Sequence, residues 1–277
     1  MVEIISKMLA NNKFSAIKEM LSEMNIVDIA ALIEEMEPEN QVRLFRLLPK
    51  TSSADAFSYL PGDIQGNIVD AITNSELEFL MEDMFLDDAV DFLEEVPANV
   101  VTRVLAHTKP ETRKLINKFL QYPDNSAGSI MTIEMVSFPE TYTVKEAIEM
   151  IRKTALDKET IYTCYCMDDK RKLVGTIPLR KLIVAPENQI VKDIMEDDEQ
   201  LIFVNTMDDQ EEVAAIAKKY DLLSIPVVDK EERLVGIITI DDIVDVIEDE
   251  NTEDFEKMAG MAPSEEEYLK TPIWKLA

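Results

Sequence analysis

The sequence predicts an α+β protein, with an all-α superhelical N-terminal domain ahead of a doubled strand-and-helix unit and a C-terminal connecting helix. Three observations carry that prediction. Up to Asp124-Asn125-Ser126-Ala127-Gly128, apolar residues recur three and four apart, as in Ile29, Leu32, Ile33 and Met36 and again in Val90, Leu93 and Val96, which is the spacing of one helix face. Beyond Gly128, short strand-like runs alternate with helical ones. That second pattern also occurs twice: MDDKRKLVGTIPLRKLI (167–183) aligns with VDKEERLVGIITIDDIV (228–244) at a spacing of 61 residues.

Residues 1–125 read as stacked short helix pairs. The strings VDIAALIEEMEP, ADAFSYLP and DDAVDFLEEVP return about every 30 residues, as expected of a small α-solenoid. Pro38, Pro61, Pro97 and Pro110 each precede a new helical stretch, and proline suits a first turn, where its missing N–H has no partner to lose. The first copy of the repeat spans residues 126–190 and the second 191–250. Each has an entry segment (Ser129-Ile130-Met131-Thr132; Asp193-Ile194-Met195), a short strand (136–138; 201–204) and a helix (144–153; 211–220). Two strands joined by a charged turn and a second helix complete each copy. A mixed sheet covered by helices on one face is expected, and neither copy is large enough to stand comfortably alone, so the two should pair. Cys164 and Cys166 alternate onto one strand face, the core side. A helix from about Asp241 is followed by another from about Thr252 to Met258, capped by Asn251 or Thr252. The latter opens the connecting region, 251–277.

Charge excludes several functions. With 28 Lys+Arg against 56 Asp+Glu the net charge is −28, which opposes binding to nucleic-acid phosphates or anionic lipid. The two cysteines are too close for a disulfide framework, and His107 has no ligand-type neighbour and reads as flanking a helix end. No nucleophile–base pair is visible, so an enzyme is not expected. No apolar run approaches the ~20 residues that span a bilayer, and the N-terminus reads as an amphipathic helix rather than a signal peptide.

Acidity is concentrated. Residues 193–256 hold 22 Asp/Glu and four Lys/Arg. On a helix from Asp241, Asp242, Asp245 and Asp249 share a face; Glu250, Glu253 and Asp254 follow at i, i+3 and i+4, and Asp87 and Asp91 lie one turn apart. Oxygen-only clusters suit Mg²⁺ or Ca²⁺. The EF-hand pattern is absent, and charge runs of this kind are also ordinary solvated helix faces.

The doubled unit resembles the CBS domain pair, through LVGTI and LVGII, Pro226-Val227-Val228-Asp229 and Thr239-Ile240-Asp241-Asp242. With the helical N-terminal region, the SAGSIMT junction and the acidic VIEDENTEDFEKMAG extension, the whole chain resembles the cytosolic region of MgtE-type magnesium transporters and channels. The resemblance implies a homodimer that senses Mg²⁺, with a plug helix (251–277) leading to a transmembrane pore domain of the same protein beyond Pro272-Ile273-Trp274-Lys275-Leu276-Ala277. It implies metal-contacting carboxylates at Asp55, Asp87 and Asp91 in the helical region. In the second CBS unit they would be Asp209, Glu211, Asp221, Asp242 and Asp245, and in the linking helix Glu250, Glu253 and Asp254. By the same likeness, ion binding compacts the cytosolic region and closes the pore, a negative feedback at the cytoplasmic face of the membrane. An adenine-nucleotide-sensing CBS module is the alternative. The Ser/Thr-x-x-Asp string that meets the ribose in CBS pairs stands as Thr239–Asp242 in the second unit. The first unit has Pro178 and Lys181 in those places, which weighs against ATP, although Tyr162 is placed to stack a base and Arg180 and Lys181 to meet phosphates.

Overall fold

The computed structural model describes residues 1–196 and 201–258, without the side chains at 254 and 256. They form two compact units that divide between Gln121 and Tyr122.

The first unit is all helix: α1 (Val2–Ala10), α2 (Phe14–Ser22), α3 (Ile26–Glu34), α4 (Pro38–Phe45), α5 (Lys50–Ser58), α6 (Gly62–Ala71), α7 (Asn74–Asp83), α8 (Leu86–Glu95), α9 (Ala98–His107) and α10 (Pro110–Phe119). From α3 onward each helix packs on the one two places ahead, α3 on α5 on α7 on α9, and α4 on α6 on α8 on α10. That is the stacking of a helical solenoid. Pro38 and Pro110 occupy first helical positions, while Pro61 and Pro97 stand one residue earlier, at the cap. The core is continuous along the stack: Phe57 packs between Phe45 and Phe92, with ring centroids 5.9 and 5.1 Å away. Glycine is scarce here, and the helix C-termini draw on arginine instead. Arg43 donates to the Leu9 carbonyl at 2.9 Å, Arg46 to Ala71 at 2.9 Å, and Arg103 to Val69 and Ile72. A guanidinium at a C-terminus satisfies orphan carbonyls and opposes the negative end of the helix dipole.

The second unit holds the two repeats. In the first, β1 (Ser137–Pro139) pairs parallel with β2 (Thr163–Met167), which pairs antiparallel with β3 (Leu173–Pro178), and α11 (Val144–Thr154) and α12 (Leu179–Val184) complete it. In the second, β4 (Val204–Asn205), β5 (Ser224–Val228) and β6 (Leu234–Thr239) repeat that order, with α13 (Gln210–Tyr220) and α14 (Ile240–Met258). The irregularity recurs too, with register shifts at Cys166/Met167 and at Val227/Val228. β2 is buried on both faces. Cys164 and Cys166 enter the core of their own unit beside Val136, Phe138 and Ile177, as alternation requires. Tyr165 points the other way, into a second cluster with Val228, Leu234 and Ile237. That cluster joins the two repeats.

The repeats also exchange backbone. Thr132, in the first entry segment, pairs with Ile237 of β6 through bonds of 2.8 and 2.9 Å. Glu196, at the end of the second, pairs with Thr176 of β3 through bonds of 2.9 and 2.7 Å. The glycine of each LVG string makes these crossings possible. A Cβ on Gly236 would stand 2.7 Å from the Thr132 carbonyl oxygen and 2.8 Å from the Met131 sulfur. One on Gly175 would stand 2.6 Å from the Glu196 carbonyl oxygen and 2.7 Å from the Met195 sulfur.

Two sequence expectations are corrected. The strand expected over 201–204 is β4, only Val204–Asn205, because its ladder with β5 closes at Val227–Val228. The helix break expected at Asn251 or Thr252 does not occur. Both side chains bond backward to carbonyls four residues earlier, Asn251 to Ile247 at 2.6 Å and Thr252 to Glu248 at 2.9 Å. They therefore leave the following N–H groups to the helix ladder, and α14 is continuous.

Gly236→Ala is expected to destabilise the CBS pair by about 1–3 kcal/mol, because backbone must shift to admit the methyl. Gly66→Ala, inside α6 with its nearest neighbour 3.9 Å away, should instead stabilise the helical unit by about 0.5–1 kcal/mol. Urea unfolding of both variants reads the opposite signs.

Candidate functional site

The carboxylates expected to meet metal in the helical unit, together with Asp83, lie on three helices. Asp55 is an exposed residue of α5, and partial burial together with the Asp83 carboxylate at the end of α7 raises its pKa above the ordinary value. Asp87 and Asp91 share a face of α8. Asp87 is buried, 8 % exposed, in the first helical turn, where the dipole favours an anion; Asp91 is exposed. Asp83, which neighbours Asp55, was not singled out from the sequence, because it comes from a different helix.

In the second unit the carboxylates take distinct local roles. Asp209 caps α13, accepting the Glu211 N–H at 2.9 Å. Glu211 faces a shallow groove of about 180 Å³ between α13 and α14, and Glu250 and Lys218 line the same groove. Glu250 accepts from the Gln210 side-chain amide at 3.3 Å. Glu253 is ion-paired with Lys257, 2.7 Å away and one turn on. The Asp254 side chain lies outside the described residues. Asp221 ends α13 in the left-handed region, φ 51°, which Asp tolerates better than most residues. It lines the cleft described below rather than the α13–α14 groove.

Carboxylates gather at the start of α14, where Asp241, Asp242 and Asp245 lie within its first two turns. Asp242 accepts from the Thr239 N–H at 3.3 Å and from its hydroxyl at 2.8 Å, closing the first turn. Burial is the main reason its pKa rises to about 6; the Thr239 hydrogen bonds oppose the shift, while Asp241 and Asp245 add to it. Asp245 is also raised, by partial burial and then by Asp249, Glu248 and Asp241. Asp249 is raised by partial burial and Glu248. Among the described residues, no three His, Cys, Asp or Glu side chains converge closely enough to hold a metal ion by themselves.

A second concavity is different in kind. A cleft of about 460 Å³ lies between the two repeats, walled by β3 and the start of α12 on one side and by residues 221–226 on the other. Its floor is the buried Tyr165, whose hydroxyl is 2.7 Å from that of Ser224 across the repeats. Tyr162, 69 % exposed, and Arg180 stand on its wall, with Glu196 and Asp221 as its carboxylates. Of the three residues proposed for a nucleotide, Tyr162 and Arg180 therefore reach the cleft. Lys181 is engaged with Glu196, Nζ to Oε1 3.5 Å. Glu196 itself escaped the sequence reading, although its alignment with Thr132 in the doubled entry segment marks the position.

A helical solenoid followed by two exchanged βαββα units, with a polar and aromatic cleft between them, defines a CBS-pair protein with a helical N-terminal module. Family models agree: the MgtE intracellular N domain matches residues 24–125, and the CBS domain matches 127–188 and 191–249. The magnesium transporter MgtE of Thermus thermophilus is 37% identical over 250 residues, 89% of this chain and 55% of that protein. Its namesake from Bacillus subtilis is 33% identical over 256 residues, 87% of this chain and 56% of that one. The crystal structure of the cytosolic domain of the Mg²⁺ channel MgtE in complex with ATP superposes with a TM-score of 0.83 at 36% identity, covering 89% of this chain and all of that one. That of the soluble part of a magnesium transporter gives 0.82 at 31%, covering 90% and 97%. The chain belongs to the MgtE family and carries the modules of its cytosolic region. It spans about half the length of the two curated relatives described here. No described helix is long and apolar enough to cross a membrane.

Asp242 makes stability depend on pH. Its folded pKa of about 6 exceeds the ordinary 3.8, so the folded state binds the proton more tightly. The resulting stabilisation is complete below about pH 4 and is lost as pH rises through 6, by up to about 3 kcal/mol. In chelator, the CBS transition of Asp242→Asn should lose much less stability between pH 4 and 7 than the parent, as read by denaturant melts at each pH.

Proposed function

We propose that this chain is the Mg²⁺-sensing regulatory region of a magnesium transporter or channel. In this reading it works as a homodimer at the cytoplasmic face, and ion binding draws it into a more compact form that closes the pore domain of the same protein. The carrying observation is the run of carboxylates on α14, where Asp242, Asp245 and Asp249 are held above their ordinary pKa first by burial and then by neighbouring carboxylates of the same helix. These are Asp241 and Asp245 for Asp242, Asp249, Glu248 and Asp241 for Asp245, and Glu248 for Asp249. Like charges a few ångströms apart at a protein surface cost about 1–4 kcal/mol per pair. A divalent cation reverses that sign. Mg²⁺ keeps much of its water and needs one or two carboxylates per ion, which the Glu211–Glu250 groove and the Asp245–Asp249 face supply. Asp55, Asp87 and Asp91 extend the proposed acceptor set into the helical unit, and Asp209, Asp221, Glu253 and Asp254 complete it. Only a higher affinity for the compact form lets the ion shift the balance.

A second reading concerns the cleft. Because a relative of 36% identity carries ATP in its cytosolic domain, and because Tyr162 and Arg180 stand on this wall, we propose that the cleft takes an adenine nucleotide. The base would stack on Tyr162 and the phosphates meet Arg180. The two readings are compatible, since the cleft and the α14 face use different residues, Asp221 excepted.

Small-angle scattering of the chain should show the radius of gyration contracting between chelator and millimolar Mg²⁺, but not in NaCl of matched ionic strength. At a hundredfold excess over Kd, ion binding should add about 2.7 kcal/mol of stability, seen as a rise in Tm of several degrees that Asp245→Asn with Asp249→Asn reduces. An unchanged profile in Mg²⁺ would refute the switch.

A further inference from the structure

The cleft wall departs from the internal symmetry in its charges. In the second repeat, Thr239 ends β6 immediately before α14 and Asp242 lies in the first turn of that helix, and the entry-segment residue paired against β6 is Thr132. The counterparts in the first repeat are Pro178, Lys181 and Glu196, with Glu196 paired against β3. The carboxylate has moved from the helix to the entry segment, and a cation stands where the carboxylate was. The new arrangement is held from both sides. Two backbone bonds to Thr176 fix Glu196 in place over Gly175, and Lys181 Nζ lies 3.5 Å from its Oε1.

Glu196 and Asp221 are the carboxylates among the described residues of the cleft wall. Asp221 belongs to the α13 end, on the wall opposite β3. Glu196 lies on the same wall as Arg180 and Tyr162. A carboxylate has two acceptor oxygens and no donor, and a ribose presents two adjacent hydroxyls, so one such group reads a sugar by accepting from it. An anion beside a triphosphate is otherwise a liability, because it repels the phosphates that Arg180 attracts.

We infer that Glu196, oriented by Lys181, accepts the hydroxyls of a sugar bound in this cleft and makes the site select a ribonucleotide over its 2′-deoxy counterpart. The inference rests on the nucleotide reading of the cleft given above. Glu196 is the recognising group and Lys181 a positioning residue, which takes over at the helix start the task of placing a carboxylate that the helix no longer carries.

Calorimetry of the 277-residue chain with ATP and with 2′-deoxy-ATP tests it. The parent should bind ATP about ten- to a hundredfold more tightly than 2′-deoxy-ATP, the scale of one charge-assisted hydrogen bond. Glu196→Gln should weaken ATP and bring the ratio towards one, while keeping the backbone bonds to Thr176. Lys181→Gln should lower the ratio in part. If Glu196→Gln tightens both nucleotides equally, the carboxylate only repels phosphate and the inference is wrong. It is equally wrong if the parent ratio survives in Glu196→Gln. Failure of the parent to bind ATP at all would overturn the nucleotide reading itself, a result seen before any variant is compared.

Discussion

The close approach of two backbones over Gly175 and over Gly236 is the constraint on which the second unit depends. Each repeat alone is a three-stranded sheet with helices on one face, and the other face needs cover. Exchange of the entry segments supplies it. Thr132 crosses to β6 and Glu196 to β3, while Tyr165 joins Val228, Leu234 and Ile237 in a cluster belonging to both repeats. The cleft follows from this crossing. It is the space left between β3 and residues 221–226 once the sheets have met, with Tyr165 and Ser224 hydrogen-bonded across its floor. The side chain that ends the second entry segment, Glu196, is thereby delivered to the β3 wall of a site that both repeats line.

The helical unit solves a different problem. Its helices are short, so a large share of their backbone groups lies in terminal turns without an intrahelical partner. Arg43, Arg46 and Arg103 reach from one helix to the C-terminal carbonyls of another. The basic residues of this acidic chain are thus partly committed to holding the stack. Acidic residues are left in excess on the outer faces, where partial burial and mutual repulsion act on Asp55 as they act on Asp245 and Asp249. Accumulated like charge is tolerated at a surface because water and salt screen it, and it leaves a cation the most effective single means of relieving the strain.

Much of the fold was legible because its signals are local. Helical spacing, prolines near helix starts and the repeat at 61 residues require no knowledge of what packs on what, and the alternation that sends Cys164 and Cys166 to the core is a property of one strand. The candidate site was less legible. Asp242 and Tyr162 lie in strings that read at sight. The role of Asp221 in the cleft depends on where α13 ends, and that of Glu196 on a strand crossing. The continuity of α14 turned on whether Asn251 and Thr252 bond forward, as caps, or backward to the preceding turn. The residue types are the same in both cases, and the surrounding helix decides between them.

The sequence by itself therefore determined the class of fold, the duplication and the concentration of negative charge near one end. Each of these is set by composition or by periodicity along the chain. Tertiary structure alone decided which carboxylates share a groove, which are consumed as helix caps or ion pairs, and which reach the cleft. Those outcomes depend on distances between residues far apart in sequence, and a hydrogen bond or a Coulomb term changes greatly within a few ångströms.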